Sequence, residues 1–251
     1  MKRNSPPIVI IGVFVLCVTG GDIARAGLPA SDAFAPPSAA MKGVVKFEGP
    51  VAKPTHIDMS ADPYCAKVHP AGAMAEDIVK DANGGLENVV VFVAEGLGDR
   101  TFEPPTQPAV IDQRGCMYQP HVVALQTNQK LRVVNSDKTT HNIHPMPSNN
   151  REWNKSQPPG IPIEETFARE EVAIPVKCNV HPWMRSHVAV FKHPYFAVTG
   201  KNGRFDLRNL PPGTYTVEAW HEKLGTANQK ITIGANETKE VQFVFKSPPG
   251  S

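Results

Sequence analysis

Cys178, His181 and Met184 stand at Cys-x2-His-x2-Met spacing in the run Cys178-Asn179-Val180-His181-Pro182-Trp183-Met184. A thiolate, an imidazole and a thioether on one short loop form a soft donor set. A second imidazole would complete the set of a one-electron copper centre, with two nitrogens and one sulfur in a plane and a weak axial thioether. Such a set serves Cu(I) and Cu(II) with little rearrangement between them. The stretch from Asn135 to His144 offers two candidates for that imidazole, His141 and His144. In extended chain these two point to opposite faces, so only one of them can join the loop. His141 lies at the end of a strand-turn pattern, and His144 is its rival.

Three ligands on one loop need strands to hold them. Short runs rich in Val, Ile and Phe read as half-buried strands at Gly43–Phe47, Asn88–Val93, His121–Leu125, Lys130–Val134, Val172–Val176 and His187–Phe191. Cys178 follows one of these and His187 opens the next, so the ligand loop joins two strands, with Pro182 stiffening it by fixing its own φ. The polar, proline-containing stretch Pro145–Glu171 reads as a long loop. Asp62-Pro63 ahead of Tyr64–His69 is a helix start, with Asp as cap and Pro at the first position. Further on, Phe196–Phe205 reads as strand, Asn-Gly turn, strand. Leu210-Pro211-Pro212-Gly213 then precedes the alternating strand Thr214–Trp220, with final strands at Ile231–Ile233 and Glu240–Phe245. The whole is all-β, with Trp220 expected in the core.

The chain start reads as an export signal. Lys2 and Arg3 precede the apolar run Ile8–Val18, and Ala24-Arg25-Ala26 is a small-x-small cleavage site, giving a mature chain from Gly27. That run is shorter than the roughly 20 residues a membrane span needs. Leu16 before Cys17 argues against lipid attachment at that cysteine. Cleavage removes Lys2, Arg3, Arg25 and Asp22, so 26 basic against 24 acidic residues becomes 23 against 23. This balance gives no electrostatic case for nucleic acid or an anionic membrane as partner. The expected location is the periplasm, the medium or the cell surface, without stable membrane insertion. Cys65, Cys116 and Cys178 remain. If a metal holds Cys178, an oxidising compartment leaves Cys65 and Cys116 to pair as a disulfide. The alternative is a second metal site built from Cys65, His69, Cys116 and His121. No paired carboxylates and no Ser-His-Asp pattern argue for hydrolysis, so the expectation is a non-enzyme.

Met117-Tyr118-Gln119-Pro120, Asn135-Ser136-Asp137, His141-Asn142 and the continuation Cys178 to Val190 resemble the type I (blue) copper proteins, the cupredoxins, and most of all their amicyanin and plastocyanin branch. The resemblance covers Met117–Phe191. It implies a Greek-key β-sandwich and one type I copper ion bound by His141, Cys178, His181 and Met184. It also implies that Asn142 ties the two ligand loops together and steadies the sulfur. Pro145, Met146, Pro147, Pro182 and Trp183 would form an apolar rim where His181 reaches the surface and passes electrons to a docked partner; the alternative is that Trp183 belongs to the core. The Gly-x-Phe strand with Leu-Pro-Pro-Gly-x-Tyr resembles carboxypeptidase regulatory-like modules, which are small prealbumin-type, immunoglobulin-like β-sandwiches.

The domain organisation expected is a signal peptide at 1–26, a linker at 27–41, the first part of the regulatory-like sandwich at 42–98, a cupredoxin domain at 99–193 and the rest of the sandwich at 194–247. The copper domain is then an insertion, with tandem order as the alternative. The function implied is one-electron transfer between periplasmic or cell-surface redox proteins acting as donor and acceptor. The rivals are a copper carrier and a surface-binding module with a vestigial copper fold.

Overall fold

The computed structural model describes residues 38–51 and 53–247. The expected signal peptide and linker residues 27–37 lie outside them. The described chain opens with β1 (Ala39–Glu48), β2 (His56–Ile57), helix α1 (Pro63–Val68), β3 (Ala73–Met74) and β4 (Val90–Glu95). Nine strands follow: β5 (Ala109–Arg114), β6 (Met117–Gln119), β7 (Val122–Gln126), β8 (Lys130–Asn135), β9 (His141–Pro145), β10 (Lys155–Gln157), β11 (Ile163–Thr166), β12 (Glu171–Lys177) and β13 (Arg185–Phe191). The last are β14 (Phe196–Val198), β15 (Arg204–Leu210), β16 (Gly213–His221), β17 (Gly225–Ile233) and β18 (Thr238–Lys246). No helix among the described residues is long and apolar enough to cross a membrane.

The strands make two sandwiches. In the first, a sheet in the order β15-β1-β18 faces one in the order β14-β4-β16-β17. In β1, alternate residues Ala39, Met41, Val45 and Phe47 point inward, and Tyr215, Val217 and Ala219 of β16 meet them. This is the period-2 pattern that buries one face of a strand. Gly43 interrupts the row because a Cβ there would sit 1.8 Å from the Val241 carbonyl and 2.8 Å from the Phe205 ring. The Leu-Pro-Pro-Gly-x-Tyr motif has a structural reason too: the Tyr215 hydroxyl donates back to the Pro211 carbonyl at 2.6 Å and closes the turn.

The second sandwich packs a sheet in the order β10-β9-β12-β13-β7 on one in the order β11-β8-β5-β6, around Ile111, Leu131, Val133, Ile143, Val176 and Val188. Among the described residues its strands pair only with each other, whereas β1 lies between β15 and β18, antiparallel to one and parallel to the other. The unbroken apolar run of β4 follows from its place between the two sandwiches. Val91 and Val93 face the first core, and Val90 and Phe92 pack on Val122, Ala189 and Phe191 of the second. A strand buried on both faces loses its polar alternation.

Three sequence expectations are corrected. The linker expected at 27–41 ends earlier, because Ala39–Met41 are already strand, with Ala39 and Met41 buried. The stretch Pro145–Glu171 is not all loop. It holds β10 and β11, which pair with β9 and β8 at sheet edges. Edge strands need backbone partners on one side only, so Lys-Ser-Gln and Ile-Glu-Glu-Thr show no apolar alternation. The Asn202-Gly203 turn does not close a hairpin, since β14 and β15 belong to different sheets. Gly203, at φ +70°, instead carries the chain across the sandwich edge, where a Cβ would lie 2.4 Å from the Val45 carbonyl.

His221 at the end of β16 is 1 % exposed and accepts the Lys223 amide at Nδ1. Burial, opposed by Glu222 and assisted by His121, His187 and Lys223, pushes its pKa down to about 4. An unfolded histidine titrates near 6.5, so below that pH the unfolded chain takes up a proton that the native ring refuses. This contribution is therefore whole above pH ~6.5 and lost as the pH falls toward ~4, by roughly 3 kcal/mol. Denaturant titrations in chelator should show a shallower loss of stability between pH 6.5 and 4 for His221→Gln than for the parent protein. Parallel curves would show that the ring is protonated in the native state.

Candidate metal centre

His141 opens β9, Cys178 immediately follows β12, and Met184 immediately precedes β13, so the sheet order β9-β12-β13 sets these three side by side at one end of the second sandwich. The loop is tight. Met184 N donates to His181 O at 2.9 Å and Cys178 N to Met184 O at 3.2 Å. His141 Nδ1 and His181 Nδ1 are 2.9 Å apart, and Cys178 Sγ lies 3.7 Å from His181 Nδ1. His141, Cys178 and His181 each offer a ligand atom within 4.8 Å of the others. Met184 is fully buried and packs in the same core as Cys178. His144 points away, toward Asn179 and Glu152.

Each imidazole has an aspartate behind it. His141 Nε2 meets Asp137 Oδ2 at 2.8 Å, and His181 Nε2 meets Asp62 Oδ2 at 3.3 Å. A ring that donates Nε2–H to its carboxylate has a bare lone pair on Nδ1. Two such lone pairs and a thiol sulfur converge among buried side chains, an electron-rich focus that calls for a cation. The carboxylate behind the ring also sets its tautomer and orientation, as it does for metal-bound histidines generally.

The charges suit this arrangement. Burial would raise the Asp137 carboxyl, but His141 and the Cys116 and Gly115 amides hold it below the ordinary range. Burial would likewise raise the Cys178 thiol; the His141 ring and the backbone N–H groups of His181, Val180 and Asn142 outweigh it, so the thiol lies low. Burial would lower His141, and Asp137 and Cys178 reverse that. Burial and the neighbouring His141 keep His181 low against the pull of Asp62.

Asn142 Oδ1 accepts the Asn179 amide at 3.0 Å, which joins the β9 end to the ligand loop. Asn135 shapes the loop between its strand and His141. Its Oδ1 accepts the Asp137 amide and its Nδ2 donates to Thr139 O and Gln157 O.

The expected exit at His181 is corrected: this ring does not reach the surface. It is 2 % exposed, with Cys65 Sγ of α1 at 3.8 Å and the helix-capping Asp62 at 3.3 Å from Nε2. Asp62 caps that helix through Oδ1, which accepts the Tyr64 and Cys65 amides, and grips His181 through Oδ2. Cys65 of α1 forms a disulfide with Cys116, and Trp183 Nε1 donates to Cys116 O at 3.1 Å. With both cysteines bonded, no second site uses their thiolates, and His69 instead meets the Gly115 carbonyl. Met146, Pro182 and Trp183 line a cavity of about 740 Å³ that reaches Cys178, while Pro145 is buried in β9. Sequence reasoning took Asp62 only for a helix cap and passed over Asp137. The i,i+4 spacing of Asp137 and His141 was the one local signal for the second.

Residues 182–246 match the carboxypeptidase regulatory-like domain family. The match begins inside the ligand loop. No curated protein matches the chain by sequence. Among solved structures, a copper-containing nitrite reductase (NirK) from Thermus scotoductus SA-01 aligns at 17 % identity over 39 % of this chain and 25 % of that one, with TM-score 0.33. The chain thus spans a quarter of that reductase. A novel purple cupredoxin from Nitrosopumilus maritimus aligns at 23 % identity over 33 % of this chain and 98 % of that one, with TM-score 0.29. An oxidised amicyanin variant aligns at 17 % identity over 40 % and 90 %, with TM-score 0.30. The chain joins a segment similar to the carboxypeptidase regulatory-like domain to an all-β sandwich that holds a His-Cys-His cluster beside a buried methionine.

Proposed function

We propose that this protein is an exported one-electron carrier holding one type I copper ion through His141, Cys178, His181 and Met184. The observation that carries the reading is the convergence of two carboxylate-backed Nδ1 atoms and the Cys178 sulfur in a buried cluster. The donor types are those of a redox copper centre. Bound there, copper would supply a Cu(II)/Cu(I) couple. The protein's part is to hold its own groups still. Asp137 and Asp62 would fix the two rings, Asn142 locks the loops together, and the buried Met184 side chain packs in the same core as Cys178.

Electron exchange with periplasmic or cell-surface partners is proposed to run from the side of Cys178, Met146, Pro182 and Trp183, where the cavity opens, because α1 covers His181. The pairing of β1 with β15 and β18 supports the further proposal that the copper domain, near residues 99–193, is inserted in the regulatory-like sandwich. The covered site favours retention of metal over delivery. The copper-loaded protein should give a reversible one-electron wave and keep its copper through repeated redox cycles beside a Cu(I) chelator. Prompt loss of Cu(I) to that chelator without a reversible wave would make the protein a copper carrier instead.

A further inference from the structure

The same cavity has a second wall that the thiolate centre does not use. His121, just before β7, and His187, on β13, face Glu222, just after β16. His121 Nε2 lies 2.7 Å from Glu222 Oε1, and His187 Nδ1 lies 3.5 Å from Glu222 Oε2. Glu76 Oε2 stands 3.5 Å from His121 Nδ1, on the other side of that ring. One ligand atom from each of His121, His187 and Glu222 lies within 4.8 Å of the other two. The side chains of His121, His187 and Glu222 are 8 %, 17 % and 11 % exposed.

An ion pair between His121 and Glu222 accounts for only part of this. His187 brings a second imidazole to a carboxylate that already has a partner. The Nδ1 atoms of both rings are buried without a hydrogen bond. A buried polar atom left without a partner is destabilising, and two of them in one cluster need a reason. A bound cation supplies one for His187, whose Nδ1 faces the carboxylate. Glu76 supplies the other, as a carboxylate poised behind the His121 ring.

We propose that His121, His187 and Glu222 bind a divalent first-row transition ion, with Glu76 orienting His121 from behind. Two imidazoles and one carboxylate suit zinc, iron(II) or copper(II), and a site with three protein ligands keeps a position open for water or a small ligand. Here that position faces the cavity that also reaches Cys178. The ligands come from both sandwiches, His121 and His187 from one and Glu222 from the other, so the ion also clamps the two together.

The test uses Co²⁺ as probe on the mature protein, with stoichiometry from equilibrium dialysis and absorption spectra in parallel. Cobalt on a thiolate gives an intense near-ultraviolet charge-transfer band; cobalt on nitrogen and oxygen gives only weak visible bands. The parent protein should bind two equivalents. His187→Gln with Glu222→Gln should bind one and keep the thiolate band, which also reports that the fold is intact. Cys178→Ser should lose that band and keep the weak visible ones. Glu76→Gln, a milder change, should weaken only the second equivalent, by about 10- to 100-fold. A parent protein that binds a single equivalent, all of it on the thiolate, would overturn the proposal, as would unchanged binding in the His187/Glu222 variant. Weak visible bands without any thiolate band in the parent would instead count against the proposed electron-carrier centre and leave the second site standing.

Discussion

Copper-loaded Cys178→Ser is expected to lose the intense visible band expected of the copper-loaded parent protein. The colour of a type I centre is charge transfer from a cysteine thiolate to Cu(II), and Cys178 is the one cysteine outside the disulfide among the described residues. Serine keeps the size but not the chemistry. Its hydroxyl stays protonated at neutral pH, so the soft anionic donor disappears while His141, His181 and their aspartates remain. Copper affinity should fall by more than the ~10- to 100-fold that loss of an outer partner causes, because a direct ligand is removed. Metal analysis beside the visible spectrum separates loss of binding from loss of the band. A colourless parent protein with copper occupancy confirmed would show that Cys178 does not bind Cu(II), and the electron-carrier reading would fail.

The second large effect concerns the cover over His181. Replacing Cys65 and Cys116 by serine should destabilise the protein by about 4 kcal/mol, the chain-entropy value for a cross-link spanning 51 residues. The bond ties α1 to the turn between β5 and β6, and α1 holds Asp62 against His181. Its loss therefore reaches the candidate metal centre as well. Copper should leave the double variant for a chelator faster than it leaves the parent, and His181 should become reactive toward a histidine-directed reagent. The midpoint of denaturant unfolding gives the first quantity and stopped-flow chelation the second. An unchanged unfolding midpoint would mean that the cross-link only decorates a segment held by other contacts. Unchanged release kinetics would mean that α1 is not a cover in solution.

Much of this molecule could be read along the chain because the relevant signals are local. The donor residues of the ligand loop lie within seven positions, the Asp62-Pro63 helix start is a four-residue pattern, and apolar alternation marks most inner strands. Counting cysteines leaves Cys65 and Cys116 either as a disulfide or as part of a second metal site, and the fold selects the disulfide. The edge strands β10 and β11 are not legible in the sequence, because pairing of their backbones asks nothing apolar of their side chains.

What the sequence determined by itself is the chemistry available: which donors exist, in what order, and that the chain is built of strands. What only the tertiary structure decided is which distant groups meet. Asp62 and His181 are 119 residues apart, and His121 and Glu222 are 101 apart. No periodicity or spacing rule spans such distances. Their meeting depends on how β1 slots between β15 and β18, and on how β4 carries one sandwich against the other. Those placements are chosen by burial of whole faces. The covered His181 and the second cluster are therefore properties of the packing, and only the residue types that fill them were written in the chain.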